Sequence, residues 1–152
     1  MGPASKPRLL VDADVIFAGA ASPSEHSASL VVLRMGEITL IDAVTPQQAI
    51  TEAERNLAQK IPEAITTFRL LVERALRLVP TPSRQEVSAY RGMADPKDLP
   101  ILVAAIRESC PWLVTFNVDD FRPGHPDVTV LRPGAFVERV RSLLTHLDVS
   151  QG

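Results

Sequence analysis

The chain contains 152 residues, of which 45% are hydrophobic and 22% charged, a composition typical of one folded domain with its own core. The formal net charge of −2 excludes the overall basic surplus that often accompanies nucleic-acid binding, although a local basic patch stays compatible with it. Cys110 is the only cysteine, which excludes an internal disulfide and disfavours a cysteine-rich zinc site. No apolar run approaches the roughly 18 residues of a membrane span, and residues 1–8 lack the apolar core of a signal peptide, so we expect a cytoplasmic protein.

Prolines and changes in hydrophobic periodicity divide the chain into segments that alternate between strand and helix. Residues 9–11 and 15–17 are predicted to form a buried strand that is followed by a turn. A helix is predicted at 27–35, and Gly36 lies where that helix would end. Further strands are predicted at 38–44, 76–79, 112–116 and 128–131. Further helices are predicted at 46–60, 62–75, 83–90, 99–107 and 136–147.

This alternation predicts an α/β fold with a parallel sheet that is covered on both faces. We expect a single domain over residues 1–147 and a loose tail over residues 148–152. Sites in such folds lie at the carboxyl ends of the strands. Asp12 follows one predicted strand and Asn117 follows another, so both are expected at the same edge of the sheet.

Acidic side chains gathered at one edge would repel each other unless a cation lay among them. Mg²⁺ takes oxygen ligands, and two such ions ~4 Å apart can activate a water and stabilise the leaving oxygen of a phosphodiester. Asp12 is the best single candidate for such a site, and its alternative role is to cap the turn after the strand. Asp14 would share a side with Asp12 in an extended chain, but capping a following helix is the preferred interpretation.

Asp95 and Asp98 both precede the apolar helix at 99–107, where either is a candidate helix cap. Pro100 fits neither assignment well. It has no N–H for Asp98 to accept, and it would lie beyond the first turn if Asp95 were the cap. We therefore favour a functional role for Asp98 over one for Asp95.

The remaining acids are less well selected by the sequence. On the helix at 46–60, a helical wheel places Glu52 away from the apolar stripe and Glu54 nearer to it, so periodicity does not favour Glu52. One of Asp119 and Asp120 is expected to be a turn residue.

Four stretches occur in an order and spacing that resemble a PIN domain: LLVDADVIFAG, TEAERNL, DPKDLPILVAAI and LVTFNVDDF. The stretch VTVLRPGAFV resembles the last strand and helix start of that family, so the resemblance covers nearly the whole chain. It implies a three-layer α/β/α sandwich with a central parallel β-sheet. It also implies a ribonuclease that uses Mg²⁺ or Mn²⁺ to hydrolyse RNA phosphodiester bonds.

The resemblance assigns site residues position by position. At the fourth acidic position many members have Asp, whereas this chain has Asn117, which offers an oxygen without a charge. Asp14 also departs from the family, in which Asn is common at that position. Asp120, in the next turn, is our hypothesis for the missing carboxylate. The implied catalytic residues are Asp12, Glu52, Asp98, Asn117 and Asp120, and all of these except Asn117 are implied metal ligands.

The resemblance also implies partners. Many small members resemble toxins of VapC type, which a protein antitoxin neutralises and which often form homodimers. RNA is the implied substrate, and an antitoxin and a second copy of the chain are the implied protein partners. The candidate phosphate contacts are Arg55, Lys60, Arg84, Arg91 and Lys97.

Two alternatives stay open at this point. VDADV also resembles the D-x-D motif of haloacid-dehalogenase-like phosphatases, with Asp12 as nucleophile and Asp14 as acid, although Val15-Ile16 stands where that family usually has Gly-Thr. The other alternative is a PIN-like fold that has lost activity and serves as a binding module, and Asn117 is the residue that supports it. An acyl-phosphate on Asp12 would favour the phosphatase, and absence of metal binding would favour the module.

Overall fold

A computed structural model of the chain describes residues 6–22 and 27–151, with side chains described as far as residue 145. Within these residues, the strands are β1 (Arg8–Val11), β2 (Asp42–Pro46), β3 (Arg77–Val79), β4 (Trp112–Val114) and β5 (Thr129–Leu131). The α-helices are α1 (Ala13–Ala21), α2 (Ala28–Glu37), α3 (Gln47–Lys60), α4 (Ile65–Ala75), α5 (Arg84–Ser88), α6 (Leu99–Arg107) and α7 (Pro133–Gln151). Short 3₁₀ helices occupy Pro62–Ala64 and Val118–Phe121.

The five strands form one parallel sheet in the order β3-β2-β1-β4-β5. The chain moves outward from β1 through β2 to β3 and then crosses to the other side of β1 for β4 and β5, as in doubly wound folds. Helices α1 to α4 contact one another, and α7 contacts α2. Helix α6 contacts β1, β2 and β4, and its other neighbour is α5. The predicted α/β/α sandwich with a central parallel sheet is confirmed.

The core explains why the strands read as apolar runs. Leu9, Leu10 and Val11 of β1 are completely buried, because β1 is the middle strand and has helices on both faces. Helix α6 is buried around most of its circumference, since five of its residues from Ile101 to Ala105 are at most 3% exposed. A helix between a sheet and a second helix needs such a broad apolar surface.

Two predicted segments are wrong in type. Residues 15–17 belong to α1, which starts directly after Asp12, so no turn separates β1 from the helix. Val15 and Ile16 are buried in α1, which accounts for the apolar run. A short buried run has the same composition in a strand and in a helix, so composition alone does not distinguish the two. Residues 38–41 form the turn after α2, in which Thr39 has a φ of 62° and Ile38 is 68% exposed.

Other boundaries differ by a few residues. Strand β4 ends at Val114, although the N–H of Thr115 still donates to the carbonyl of Leu131. Helix α7 begins at Pro133 and continues to Gln151, so the backbone of residues 148–151 continues a helix. Residues 1–5 and 152 of the predicted domain and tail lie outside the described residues. The division at residue 147 itself stays a prediction.

Candidate active site

The carboxyl ends of β1 and β4 lie side by side at the point where the strand order reverses. The backbone N–H of Asp12 donates to the carbonyl of Val114 at 3.1 Å, so the residue after β1 is fixed beside the end of β4. In doubly wound folds the crevice at this reversal is where ligands bind. The predicted meeting of the segments after these two strands is therefore present.

Asp12 is the N-cap of α1 and is 6% exposed. Its Oδ1 accepts from the N–H of Ala13 at 2.7 Å, and its Oδ2 accepts from the Thr115 hydroxyl at 2.9 Å. Burial, and after it the neighbouring charge of Asp14, raises the pKa of Asp12 from 3.8 to about 7 against the lowering effect of these hydrogen bonds. The capping role expected as the alternative is real, but it leaves a buried carboxyl whose charge is poorly stabilised.

Asp14 does not act as the helix cap that we expected, because Asp12 occupies that position. Its Oδ2 instead accepts from the N–H of Phe116 at 3.0 Å and from Nδ2 of Asn117 at 3.2 Å, and it lies 3.3 Å from the Thr115 hydroxyl. Its Oδ1 is buried and has no hydrogen-bond partner among the described residues. Burial raises the pKa of Asp14 as well.

Asp98 precedes α6 without capping it through its side chain. The carboxylate of Asp95 accepts from the N–H of Lys97, whereas Oδ2 of Asp98 is buried and unpartnered in the described part of the chain. Burial, together with the smaller effects of the charges on Asp120, Asp95 and Glu52, raises the pKa of Asp98 to about 6 against the lowering effect of Lys97. Pro100 thus does mark a carboxyl that is not used as a cap.

Two side chains of α3 face the same region. Glu52 is exposed and lies one turn after Gln48, and both line the cleft that Asp12 and Asp98 enclose. Glu54 points elsewhere: its Oε1 lies 2.7 Å from Nη2 of Arg69 on α4. The helical wheel is therefore right about both residues, since Glu54 is the more buried acid and Glu52 the more solvated one.

These side chains enclose one small cavity of about 130 Å³, which we call the acid cleft. It contains four of the five predicted catalytic residues, Asp12, Glu52, Asp98 and Asn117. Asp120 does not line it, but its carboxylate lies 3.9 Å from Nζ of Lys97, the cation among the lining residues. The full lining comprises Asp12, Ala13, Asp14, Gln48, Glu52, Lys97, Asp98, Ile101 and Asn117.

The amino ends of the strands show how a partly buried acid is paired elsewhere in this protein. Asp42 at the start of β2 accepts from Arg8 at 2.9 Å and from Arg77 at 2.9 and 3.1 Å, and these guanidinium groups lower its pKa. Asp12, Asp14 and Asp98 of the cleft have no arginine partner among the described residues, and the pKa of each of these three carboxyls is raised. A bound cation would supply the charge that arginines supply to Asp42.

The donor set suits a hard divalent cation, because it consists of carboxylate and amide oxygens, two of them buried without partners. Within the described residues, no group of three His, Cys, Asp or Glu side chains stands in an arrangement ready to hold a metal ion. Mg²⁺ does not need one, since it commonly binds through one or two carboxylates, several waters and substrate phosphates. The residues therefore fit such an ion as a site that substrate helps to complete.

Three contributors were not selected from the sequence. Asp14 was assigned to helix capping, although an acid at a position where the family commonly has Asn was a usable signal. Thr115 is completely buried and bridges Asp12 and Asp14 through one hydroxyl, a role that depends on the pairing of β1 with β4. Gln48 lies one turn before Glu52, and nothing in its local sequence distinguishes it.

The fold and the acid cleft define a doubly wound α/β domain that gathers carboxylates where its two central strands end. The chain belongs to the PIN-domain family, whose model matches residues 8–119 and whose members are generally nucleases. The matched stretch includes Asp12, Glu52, Asp98 and Asn117 and stops one residue before Asp120. Membership in this family sets the phosphatase alternative aside.

The solved structures that this chain resembles include VapBC2 from Rickettsia felis, determined bound to a DNA fragment from its promoter. The TM-score is 0.59 at 14% sequence identity, and the match covers 81% of this chain and 96% of the other. At this identity the likeness establishes the fold. No curated protein matches the chain, and no described helix is long and apolar enough to cross a membrane.

Proposed function

We propose that this protein is a metal-dependent ribonuclease that hydrolyses RNA phosphodiester bonds at the acid cleft. The observation that supports this most strongly is the convergence of carboxylates from three separate segments, represented by Asp12, Glu52 and Asp98. Two buried oxygens without partners, Oδ1 of Asp14 and Oδ2 of Asp98, leave places for a cation among the described residues. Membership in a family of nucleases supports the same reaction class.

The proposed ligands of Mg²⁺ or Mn²⁺ are Asp12, Glu52, Asp98 and Asp120, with Asn117 as a neutral member of the site. When bound, the ion would supply an activated water and neutralise charge on the phosphodiester. Asp12 is held in place for this by the Ala13 N–H and the Thr115 hydroxyl. Lys97 lines the cleft and carries an exposed ammonium group that can accompany a phosphate.

We assign to Asp14 the charge that the family usually places at position 117. Asp14 and Asn117 form one hydrogen-bonded pair, with Nδ2 of Asn117 donating to Oδ2 of Asp14 at 3.2 Å. The pair carries one carboxylate and one amide whichever position bears the acid. An acid at both positions would bring two carboxylates to this distance and would raise the pKa of one of them strongly. Asn117 is in this view a partner of Asp14 and not a sign of lost activity.

Cleavage of single-stranded RNA in Mn²⁺ tests the proposal, together with calorimetric titration of Mn²⁺ as a readout that does not need turnover. Asp12→Asn and Asp98→Asn are expected to abolish cleavage and weaken metal binding. Glu54→Gln is the matched control, because this acid faces Arg69 outside the cleft and its loss should leave cleavage unchanged. Absence of Mn²⁺ binding at millimolar concentration would overturn the proposal and favour the inert binding module.

The proposal extends to a toxin of VapC type that acts on RNA in the cytoplasm, forms a homodimer and is held by a protein antitoxin. The support is the fold likeness to VapBC2, an assembly solved on a fragment of its own promoter. Expression in a bacterial host should arrest growth, and Asp98→Asn should relieve the arrest without lowering the protein level. Light scattering after size exclusion should give the mass of two chains, and a value for one chain would contradict the homodimer.

A further inference from the structure

A second cavity adjoins the acid cleft and differs from it in chemistry. It measures about 540 Å³, within the range of about 300–1,000 Å³ typical of ligand sites. Its apolar wall comes from α5, from the segment before α6 and from the start of α6. The apolar lining residues are Pro82, Val87, Ala94, Pro96, Leu99 and Pro100.

The two cavities share walls. Gln48 lines both of them, and the segment 96–100 separates them, because Pro96, Leu99 and Pro100 face the apolar cavity while Lys97 and Asp98 face the acid cleft. A ligand that contacts Asp98 in the acid cleft and extends past the segment 96–100 therefore places its next part in the apolar cavity. We call this second cavity the side cavity.

The charges around the side cavity are free for a ligand. Arg84 and Arg91 line it, and their exposed guanidinium groups form no ion pair or hydrogen bond with any described residue. Elsewhere on the described surface some exposed arginines are paired with an acid, as Arg69 is with Glu54 and Arg77 with Asp42, whereas others, such as Arg74, are not. Arg55 lines a further groove together with Gln48 and Glu52, and these two residues also line the acid cleft. Unpaired guanidinium groups thus lie in two cavities that border the acid cleft.

We propose that the side cavity holds an unpaired nucleobase of the RNA strand whose phosphodiester lies in the acid cleft. The apolar wall would cover the face of the base, and the guanidinium groups of Arg84 and Arg91 would contact the phosphates next to it. A polyanion is the occupant that two unpaired arginines complement, which favours RNA over an apolar helix of a partner protein. This inference rests on the proposed ribonuclease function.

The proposed base site requires that the RNA be single-stranded where it enters the side cavity. A base enters such a cavity only after it leaves its stack and its pairing partner, which costs a few kcal/mol in a duplex and little in a single strand. The wall itself is held firmly: Ser83 and Glu86 form a capping box at the start of α5, and Arg107 of α6 lies 3.6 Å from Glu86. The cavity therefore does not need to be formed by the ligand.

Fluorescence anisotropy of end-labelled RNA in EDTA tests the proposal, because it measures binding without cleavage. The wild-type chain should bind a single strand more tightly than a duplex of the same sequence or a strand of abasic units. Ser88→Leu narrows the side cavity and should weaken single-strand binding about tenfold, to the level of the abasic strand. Gln85→Leu, on the same short helix but outside the cavity lining, is the matched control and should bind as the wild type does.

The proposed phosphate contact of Arg91 is tested separately, through the salt dependence of RNA affinity. Arg91→Gln should reduce the slope of log affinity against log salt concentration by about 0.7, the value expected for one phosphate contact on a single strand. Arg74→Gln, an exposed arginine on α4 that does not line the side cavity, should leave the slope unchanged. An unchanged slope in Arg91→Gln would overturn the assigned phosphate contact.

The outcomes separate this inference from the proposed function. If the wild type binds Mn²⁺ and cleaves RNA while Ser88→Leu keeps full single-strand affinity, the side cavity is not a base site and the ribonuclease proposal stands. If the wild type binds no metal but Ser88→Leu loses affinity, the cavity binds RNA and the ribonuclease proposal fails. Loss of a dimer in Ser88→Leu with unchanged RNA affinity would place a second copy in the cavity and overturn the inference.

Discussion

Replacing Asp12 by Asn should stabilise the metal-free protein, and the gain should depend on pH. The pKa of Asp12 is raised from 3.8 to about 7 in the folded state. At about 1.36 kcal/mol for each pKa unit, ionising this group costs the folded state on the order of 4 kcal/mol. Asn keeps the size of the side chain and the Oδ1 that accepts from Ala13, and it removes the charge.

The sign of the pH dependence follows from the direction of the shift. Below pH 3.8 Asp12 carries its proton in both states, so it contributes no difference. Between pH 3.8 and about 7 the unfolded chain loses this proton first, so the free energy of unfolding falls as the pH rises. Above pH 7 the whole cost is present. The gain from Asp12→Asn should therefore be larger at pH 8 than at pH 5 by about 3 kcal/mol.

The hydrogen bonds around Asp12 allow this substitution. The Thr115 hydroxyl, which donates to Oδ2 of Asp12, also lies 3.3 Å from Oδ2 of Asp14. If an amide nitrogen replaces Oδ2 of Asp12, the hydroxyl can accept from that nitrogen and donate to Asp14 instead. No buried group loses its partner, so the loss of charge is the dominant change.

Urea unfolding in EDTA, followed by the fluorescence of Trp112, the single tryptophan, measures the effect at pH 5 and pH 8. Asp42→Asn serves as a control of opposite sign, because arginines lower the pKa of Asp42 and its loss should destabilise the protein at pH 8. Mn²⁺ should raise the stability of the wild type at pH 8 and have little effect on Asp12→Asn. An equal gain at both pH values, or a loss at pH 8, would refute the argument that burial of charge dominates this site.

Three further sets of substitutions test the site around Asp12. Asp14→Asn should weaken Mn²⁺ binding in calorimetry, because it removes the charge of the pair, whereas the double exchange of Asp14→Asn with Asn117→Asp should restore it; a double variant as weak as Asp14→Asn would contradict the shared charge of this pair. Thr115→Val should cost roughly 1–3 kcal/mol in urea unfolding, because the buried Asp12 carboxylate loses its hydroxyl donor and the N–H of Asn117 loses its acceptor, and Thr115→Ser should cost much less. Asp120→Asn should weaken Mn²⁺ binding more than Asp119→Asn, since Asp119 faces outward to Arg122, and equal effects would remove Asp120 from the ligands.

The sequence determined the layers of the fold better than its turns. Helix α6 was predicted with the bounds that the structure shows, because its long apolar run is bordered by Asp98 and Pro100 at one end and by Arg107 at the other. The turn at 38–41 was missed, since Ile38, Leu40 and Ile41 resemble a strand although the first two are exposed. Local composition does not reveal the backbone of Thr39 at positive φ, which the end of α2 imposes.

The acids of the site were predictable to different degrees for a physical reason. Asp12 stands out in the sequence because it directly follows a buried strand. Asp98 stands out because Pro100, at the start of the next helix, makes Asp98 a poor helix cap. Glu52 leaves no comparable mark in the sequence. It lies on the solvent-exposed face of its helix, where a ligand for a solvated cation and an ordinary surface acid look the same. Periodicity detects burial, so it selects acids such as Glu54 that pack beside the core, and only resemblance to a family selects Glu52.

Asp14 shows where both kinds of reasoning stop. Its position in the sequence predicts a cap of the following helix, and comparison with the family shows only that Asp14 differs from the common Asn. Its role depends on three donors contributed by residues 115–117, about a hundred positions away, which reach it only because β1 and β4 are adjacent. Asp14 and Asn117 form a hydrogen bond in the folded protein, so the departure from the family at one position has to be interpreted together with the departure at the other. The double exchange of these two residues is therefore the most direct measurement of whether this cleft has kept its charge.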